Sequence, residues 1–230
     1  MVGTSNSSGP LTSVLASGLA LVFWRWRHLT RQMRIAAVAG YLLLALVMKA
    51  PVYYLIARID LTGSSTGWHR ARLIESSLQH LREWWWAGTD YTRHWMPTGV
   101  SWSEDHTDIT NYYIKMGVLG GLPLMLLLIA ALTMGFSYVG RALRELEWRG
   151  PGGEEPFLIW TAGCALFSLA VSGISVAYFD QSYLFIYLVL AVLATLQASS
   201  QLSEAGARAA LDPGEQSPFA PLNVGSAGPC

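Results

Sequence analysis

The feature that most constrains this chain is a set of long apolar runs that carry almost no charge. From Gly117 to Val139 there is no charged side chain, and runs of about 20 apolar residues are typical of membrane-spanning helices. Only 13% of the 230 residues are charged, whereas soluble domains usually carry about 25%. The sequence therefore predicts an all-α polytopic membrane protein.

The apolar runs predict about five transmembrane helices within a membrane domain of residues 11–198. The expected spans cover residues 11–24, 35–56, 117–139, 157–178 and 183–196. Residues 1–10 are predicted to be a disordered N-terminus. Residues 199–230 are rich in Ala, Gly, Ser and Pro, a composition that predicts a disordered tail.

The arginines predict the orientation, because short cytoplasmic loops collect positive charge. Four arginines lie between Arg25 and Arg34, and three lie between Arg141 and Arg149. Both segments are expected in the cytoplasm, which places the long loop 57–116 outside and the tail inside. The net charge is zero, so nothing indicates a nucleic-acid partner.

The outer loop is predicted to contain an amphipathic helix from about Trp68 to Trp86. The apolar positions recur every three or four residues, at Ala71, Ile74, Leu78, Leu81 and Trp85. Arg72 is expected on the polar face with Glu75. Arg70 projects near the middle of the apolar stripe, where it either meets an anionic group or extends its head to water.

The outer loop also carries an unusual number of tryptophans, namely Trp84, Trp85, Trp86, Trp95 and Trp102. Tryptophan favours the headgroup zone of a membrane, so one interpretation is an interfacial belt. The alternative is a platform on which sugar rings stack.

A polar segment of residues 103–111 ends the loop, and the third apolar run follows it. His106 lies there among Glu104, Asp105 and Asp108. A neutral imidazole near working pH is suited to general-base catalysis. Because only one histidine is present locally, a metal site built on these groups is the weaker alternative, and we expect neither a metal nor a cofactor.

The same segment is expected to begin the helix of the third span. Asp105, Thr107 or Asp108 is predicted to cap that helix. Gly117 and Gly121 form a pair of small residues four positions apart, a spacing that allows another helix to approach closely.

These residues resemble the O-antigen ligase and polymerase family of bacterial envelope membrane proteins. A family motif has a histidine, a small polar residue, nine residues, a glycine, two residues and often another glycine. Here it reads His106-Thr107, then Gly117 and Gly120, with Thr107 where the family usually has Asn, Ser or Gln. A second pattern, a glycine or serine followed closely by an arginine and an apolar pair, resembles residues 67–74 and matches Arg70 best, with Arg72 as a rival.

Two departures accompany the resemblance, which covers roughly residues 35–198. The family helix is usually followed by a Pro-Leu-x-Gly-x-Gly turn, where this chain has Trp86-Ala87-Gly88. Family members usually have around twelve membrane helices, so this chain looks like a C-terminal portion or a short form.

The resemblance implies glycosyl transfer at the outer face of the bacterial cytoplasmic (inner) membrane, without metal or nucleotide sugar. The donor would be an undecaprenyl-pyrophosphate-linked glycan, and the acceptor a hydroxyl of the lipid A core or of another glycan. His106 would act near the acceptor hydroxyl, and membrane lipid would surround the protein. The implied substrate-binding residues are Arg70, Arg72, Asp105 and Asp108, and the implied structural residues are Gly117, Gly120 and Gly121.

Two alternatives remain open from the sequence. A repeat-unit polymerase would use the same loop as a ligase. A non-catalytic transporter or scaffold subunit belongs to another class. A transporter usually carries its polar residues at membrane mid-depth within paired repeats, and no internal repeat is visible here.

Overall fold

The protein is helical, as the sequence predicts. The structure, a computed structural model, describes residues 8–55, 66–101, 103–149, 155–178 and 182–211. Within these ranges the only extended pairing is an isolated bridge between Ser101 and Thr107.

Seven α-helices occur in the described part of the chain. They are α1 (Ser8–Val22), α2 (Thr30–Val47), α3 (Thr66–Gln79), α4 (Leu81–Trp84), α5 (Tyr112–Arg149), α6 (Glu155–Ser172) and α7 (Ser182–Leu211). Short 3-10 turns occupy Phe23–Leu29, Val52–Tyr54 and Arg93–Trp95. The chain forms two compact units, Met1–Ala194 and Thr195–Cys230, and the described part of the second is the end of α7.

Fewer helices are long enough to cross a membrane than the five that the sequence predicts. Tyr112–Leu146 and Glu155–Ser172 have the required length and composition. Ser13–Leu29 and Arg31–Val47 form a pair bent by 113°, which counts as a third span if it crosses as one. Tyr183–Ser199 is apolar but shorter. The described residues therefore provide two such helices, or three with the bent pair.

The second predicted span, over residues 35–56, ends early. Its helix stops at Val47, and Met48 is extended, with φ −76° and ψ 132°. Pro51 follows, and a proline disfavours the helical conformation of the residue before it. The apolar pattern continues through this break, so hydropathy alone did not reveal it.

Helix α6 is held on both sides by other apolar helices. It packs against α1 and α5. Polar groups join it to α1, because Ser168 Oγ donates to Ser13 O at 3.0 Å and Trp160 Nε1 donates to Ala20 O at 3.1 Å. These bonds satisfy polar side chains within an apolar setting, where an unsatisfied one costs free energy.

The amphipathic helix predicted from about Trp68 to Trp86 is present, but it is broken, and its buried face differs from the predicted one. It ends at Gln79, and α4 begins after His80. Leu78 and Trp85 of the predicted apolar stripe are 55% and 50% exposed. The stripe was wrong at these two positions for different reasons. Leu78 lies in α3 on a side away from the buried Leu73. Trp85 follows the break at His80, which changes the helical phase.

The buried face of α3 instead centres on Leu73, which is fully buried. Leu73 belongs to one cluster with the buried side chains of Trp84, Trp95, Ile114 and Val118. This cluster joins α3 and α4 to the beginning of α5. It fixes the loop helix beside the entry of α5, which positions the candidate site.

The cap of α5 differs from the prediction. The helix begins at Tyr112, and Asn111 Oδ1 accepts a hydrogen bond from Ile114 N at 3.1 Å. Asn111 is therefore the N-cap residue, and the proposal that Asp105, Thr107 or Asp108 caps the helix was wrong.

Two glycines allow the turn after α4 to lie directly on α5. Gly121 has φ +71°, and a Cβ there would lie 2.3 Å from Trp86 O. Gly88 has φ +88°, and its Cβ would lie 2.2 Å from Val118 O. Side-chain-bearing residues rarely adopt such φ values. Helix α5 is kinked at Gly120 and Gly121, and Gly121 is the one of the two that lies against Trp86 of the loop turn.

Both predicted disordered ends are only partly described. Helix α7 continues to Leu211, so the predicted tail from Ser199 begins as a helix. Helix α1 begins at Ser8, within the predicted disordered N-terminus. Residues 1–7 and 212–230 lie outside the described residues.

Candidate functional site

A cavity of about 400 Å³ lies where α3, the polar loop and the first turns of α5 meet. Its polar and charged lining residues are Arg70, His106, Thr107, Asp108, Thr110, Lys115 and Ser175. Ile109, Val118, Leu119, Val176 and Ala177 complete the wall. The cavity combines two cations, an imidazole and a carboxylate with an apolar surface.

Three of the sequence-predicted site residues come together in this cavity. Arg70 arrives from α3, and His106 and Asp108 arrive from the loop before α5. Asp105 is exposed and does not line the cavity. Its main-chain oxygen instead accepts from the amides of Thr92 and Arg93, at 2.9 and 3.0 Å.

Arg72, the rival of Arg70, lies elsewhere. Its guanidinium pairs with Glu75 at 2.8 Å, and the Arg72 side chain is 45% exposed. Tyr54 also donates to Glu75, at 2.6 Å. The hydrogen bonds from Tyr54 and Arg72 together hold the pKa of Glu75 below its ordinary value. The helical spacing correctly placed Arg72 beside Glu75.

The imidazole of His106 is oriented by a buried threonine. Thr92 is fully buried, and its Oγ1 accepts from Thr107 N at 3.2 Å. The same Oγ1 lies 3.2 Å from His106 Nδ1. Among the described residues, Nδ1 is the acceptor within reach of the Thr92 hydroxyl hydrogen. When the Thr92 hydroxyl donates in this contact, the imidazole proton lies on Nε2.

Main-chain contacts hold the polar loop in place. Asp108 N donates to Val100 O at 2.9 Å, and Thr107 Oγ1 donates to the same oxygen at 3.3 Å. His69 Nε2 lies 3.2 Å from Asp108 O, to which it donates. The loop that carries His106 is thus fixed both to residue 100 and to α3.

Sequence reasoning missed Lys115 and Thr110 as site residues. Lys115 lies in the first turn of α5, and its Nζ donates to Tyr178 O at 3.1 Å. Thr110 Oγ1 is buried, and the described residues offer it no hydrogen-bond partner. A cation at the start of a membrane-length helix was the available signal for Lys115, whereas the burial of Thr110 is visible only in the fold.

The tryptophans divide into two groups. Trp84 and Trp95 are buried in the core, so these two form neither a belt nor a sugar platform. Trp85 and Trp86 are exposed and remain available for either role, and Trp102 lies outside the described residues. Trp84 also contacts Gly117, where a Cβ would lie 2.4 Å from the indole ring.

A second cavity, of about 580 Å³, lies among the apolar helices. Its walls come from α1, α2, α5 and α6, and Arg34 is its one charged lining residue. A wall of this kind accommodates apolar groups but supplies no combination of acid, base and cation.

One cluster of side chains with the chemistry to ligate a metal lies outside the lining of the first cavity. His80, Glu83 and His94 place ligand atoms within 4.8 Å of one another. In the described part of the chain, Glu104, Asp105 and His106 form no such cluster. Nothing in the local sequence pattern marked the first set, because a turn of the chain brings His94 to the other two.

Comparison of this chain with protein-family models, curated proteins and solved structures finds no match.

Proposed function

We propose that this protein transfers a glycan from a polyprenyl-pyrophosphate carrier to a sugar hydroxyl at the outer face of the bacterial cytoplasmic membrane. The observation that carries the proposal is the cavity lined jointly by Arg70, His106 and Lys115 at the N-terminal end of α5. The spacing from His106 to Gly120 resembles a motif of O-antigen ligases, and the histidine of that motif lines this cavity.

The charges of the cavity suit the pyrophosphate of the donor. A planar guanidinium such as that of Arg70 donates two parallel hydrogen bonds to phosphate oxygens, and Lys115 adds a point charge. The buried Thr110 hydroxyl supplies a further donor. Helix α5 has membrane length, so a site at its end lies at the depth of lipid headgroups if α5 crosses the bilayer.

In the proposed reaction, the oxygen of the acceptor hydroxyl attacks the anomeric carbon of the donor glycan. The bond from that carbon to the pyrophosphate oxygen breaks, and the lipid pyrophosphate leaves with the electron pair. Arg70 and Lys115 stabilise the charge of the leaving group. The acceptor proton passes to His106, which later releases it to water.

The role of His106 Nε2 in the reaction depends on which ring nitrogen carries the proton. With the proton on Nε2, the imidazole donates a hydrogen bond into the cavity. To act as a base there, His106 must carry its proton on Nδ1, which leaves the buried Thr92 hydroxyl hydrogen without an acceptor, at a cost of about 1–3 kcal/mol. A bound acceptor hydroxyl has to offset that cost.

The cavity position argues against a transporter. Transporter sites usually lie near membrane mid-depth within paired repeats, whereas the charged groups of this cavity lie before α5 or in its first turn. The proposal covers both a ligase and a polymerase, because the two reactions use the same donor and a sugar hydroxyl as the nucleophile. The acceptor is the lipid A core for a ligase and a second glycan unit for a polymerase.

The decisive experiment measures donor binding and glycan transfer separately, in the complete protein reconstituted into lipid. Arg70→Ala removes a charge-assisted contact worth about 1.5–3 kcal/mol, so it should weaken binding of a polyprenyl pyrophosphate at least tenfold. Arg72→Ala is the matched control, because exposed ion pairs contribute about 0–1 kcal/mol. Equal effects of the two changes would refute the assignment of Arg70.

Transfer tests the histidine. General-base catalysis contributes about 10²–10⁴ in rate, so His106→Ala should lower turnover by that factor while protein level, checked by blot, stays constant. His106→Gln should also fail if His106 takes the proton, and should retain part of the activity if it only donates a hydrogen bond. Turnover at the wild-type rate in His106→Ala would remove the proposal.

A further inference from the structure

We propose that His80, Glu83 and His94 form a binding site for one divalent transition-metal ion of the Zn²⁺ type. The site joins the α3–α4 corner to the 3-10 turn at Arg93–Trp95. It lies apart from the cavity of Arg70 and His106, and it departs from the sequence-based expectation of no metal.

The three side chains are the right chemical set. Two imidazoles and a carboxylate are a common protein ligand set of zinc sites in which a water occupies the fourth position. The ligand atoms lie within 4.8 Å of one another, and His94 Nε2 lies 2.8 Å from Glu83 Oε2. A tetrahedron with bonds of about 2.1 Å has edges of about 3.4 Å, so small adjustments of the present side-chain positions would bring the three ligand atoms to one ion.

The hydrogen bonds around the cluster orient the ligands. His80 Nδ1 lies 2.9 Å from the main-chain oxygen of Ser76. Since a carbonyl only accepts, Nδ1 carries the proton and Nε2 keeps its lone pair. A metal-binding histidine usually donates its other N–H in this way, often to a backbone carbonyl.

The carboxylate is held in a similar manner. Trp95 Nε1 donates to Glu83 Oε2 at 3.1 Å, which fixes the group and leaves Oε1 for an ion. The rings are also packed, because Tyr91 stacks on His94 and His80 stacks on Trp95. The cluster is therefore a set of supported ligands rather than three mobile surface side chains.

Solvent reaches the cluster, so an ion can enter it. Glu83 and His94 have side chains that are 39% and 37% exposed. Thr92 directly precedes the 3-10 turn that holds His94, and the Thr92 hydroxyl contacts His106. A bound ion would thus fix the segment that orients His106, while the ion itself lies outside the cavity.

The test uses the untagged complete chain in detergent, stripped of metal with EDTA and desalted, and then titrated with Zn²⁺ or Co²⁺. We expect one saturable Zn²⁺ per chain by calorimetry and a visible Co²⁺ spectrum typical of four-coordination. His80→Gln and His94→Gln should each weaken binding at least tenfold. His28→Gln changes an exposed histidine outside the outer loop and should leave binding unchanged.

Trp95→Phe gives a second measurement that leaves all three ligands in place. Loss of an outer hydrogen-bond partner typically costs 10–100-fold in metal affinity, so this variant should bind more weakly than wild type. Absence of saturable binding, equal binding by His94→Gln, or displacement by Mg²⁺ at similar concentration would overturn the proposal. The titration needs no glycan substrate, so a chain that binds no metal would leave the proposed transfer activity unaffected. Loss of the proposed transfer activity would likewise leave the metal site unaffected.

Discussion

Replacing Thr92 by valine removes one buried hydroxyl and keeps the branched shape of the side chain. In the wild type, that hydroxyl accepts from Thr107 N at 3.2 Å and contacts His106 Nδ1 at 3.2 Å. Thr92 and Thr107 are both fully buried. The change therefore leaves a buried amide without its partner, whereas the half-buried His106 can bond to water.

The expected magnitude follows from that single amide. An unsatisfied buried donor costs about 1–3 kcal/mol. For a protein of this size, each kcal/mol lowers the unfolding midpoint by about 2–4 °C, so Thr92→Val should lower it by ~2–12 °C. Nitrogen NMR of labelled histidine should also show a smaller share of the Nε2-protonated tautomer of His106.

The assay is thermal unfolding in detergent, followed by tryptophan fluorescence. Thr89→Val is the matched control, because the Thr89 hydroxyl makes an exposed bond to Tyr91 at 3.3 Å and such surface changes usually stay within about 0.5 kcal/mol. If Thr92→Val and Thr89→Val melt together and the His106 tautomer is unchanged, the inferred role of Thr92 is wrong.

Three further predictions address the fold, the acid response and the orientation. Gly121→Ala should destabilise the folded protein by ~1–3 kcal/mol or more, the usual cost of a strained backbone. The reason is that φ is +71° and Trp86 O lies 2.3 Å from the added Cβ. The control in thermal unfolding is Gly140→Ala, because Gly140 lies in the same helix and its added Cβ has nothing within 4 Å. Because the pKa of Glu75 is lowered, the Glu75 carboxylate stabilises the fold above pH 4.5, and this stabilisation is lost as the pH falls through the lowered pKa. The difference in melting temperature between wild type and Glu75→Gln should therefore shrink at low pH. A difference that does not change with pH would contradict this prediction. A single cysteine at Ser101 should react with a membrane-impermeant reagent on intact spheroplasts, and labelling only after lysis would reverse the orientation.

Periodicity and charge determined much of the architecture from the sequence. Runs without charge identified α5 and α6, because burying a charge in lipid is costly. The three-and-four spacing identified an amphipathic helix and placed Arg72 beside Glu75. These properties depend on near neighbours along one helix, which the sequence lists directly.

Local breaks were harder to predict. The helix ended at Val47 although the apolar run continues, and Asn111 rather than an aspartate capped α5. Several residues in each segment have suitable capping or breaking chemistry. Which one acts depends on where the neighbouring chain holds the backbone, and local propensity does not contain that information.

For the candidate site, the sequence by itself determined that His106, Asp108 and an arginine of the loop helix are chemically suitable and lie before a membrane-length helix. The sequence favoured Arg70 over Arg72, and the tertiary structure placed Arg70 in the cavity wall. Only the tertiary structure added Lys115 and buried Trp84 and Trp95. It also brought His94 to Glu83, eleven positions away in the chain. The reason is physical, since a sequence specifies which groups a chain carries, whereas distances between separate segments are set by packing, here by the close contact of the loop turn with α5 at Gly88 and Gly121.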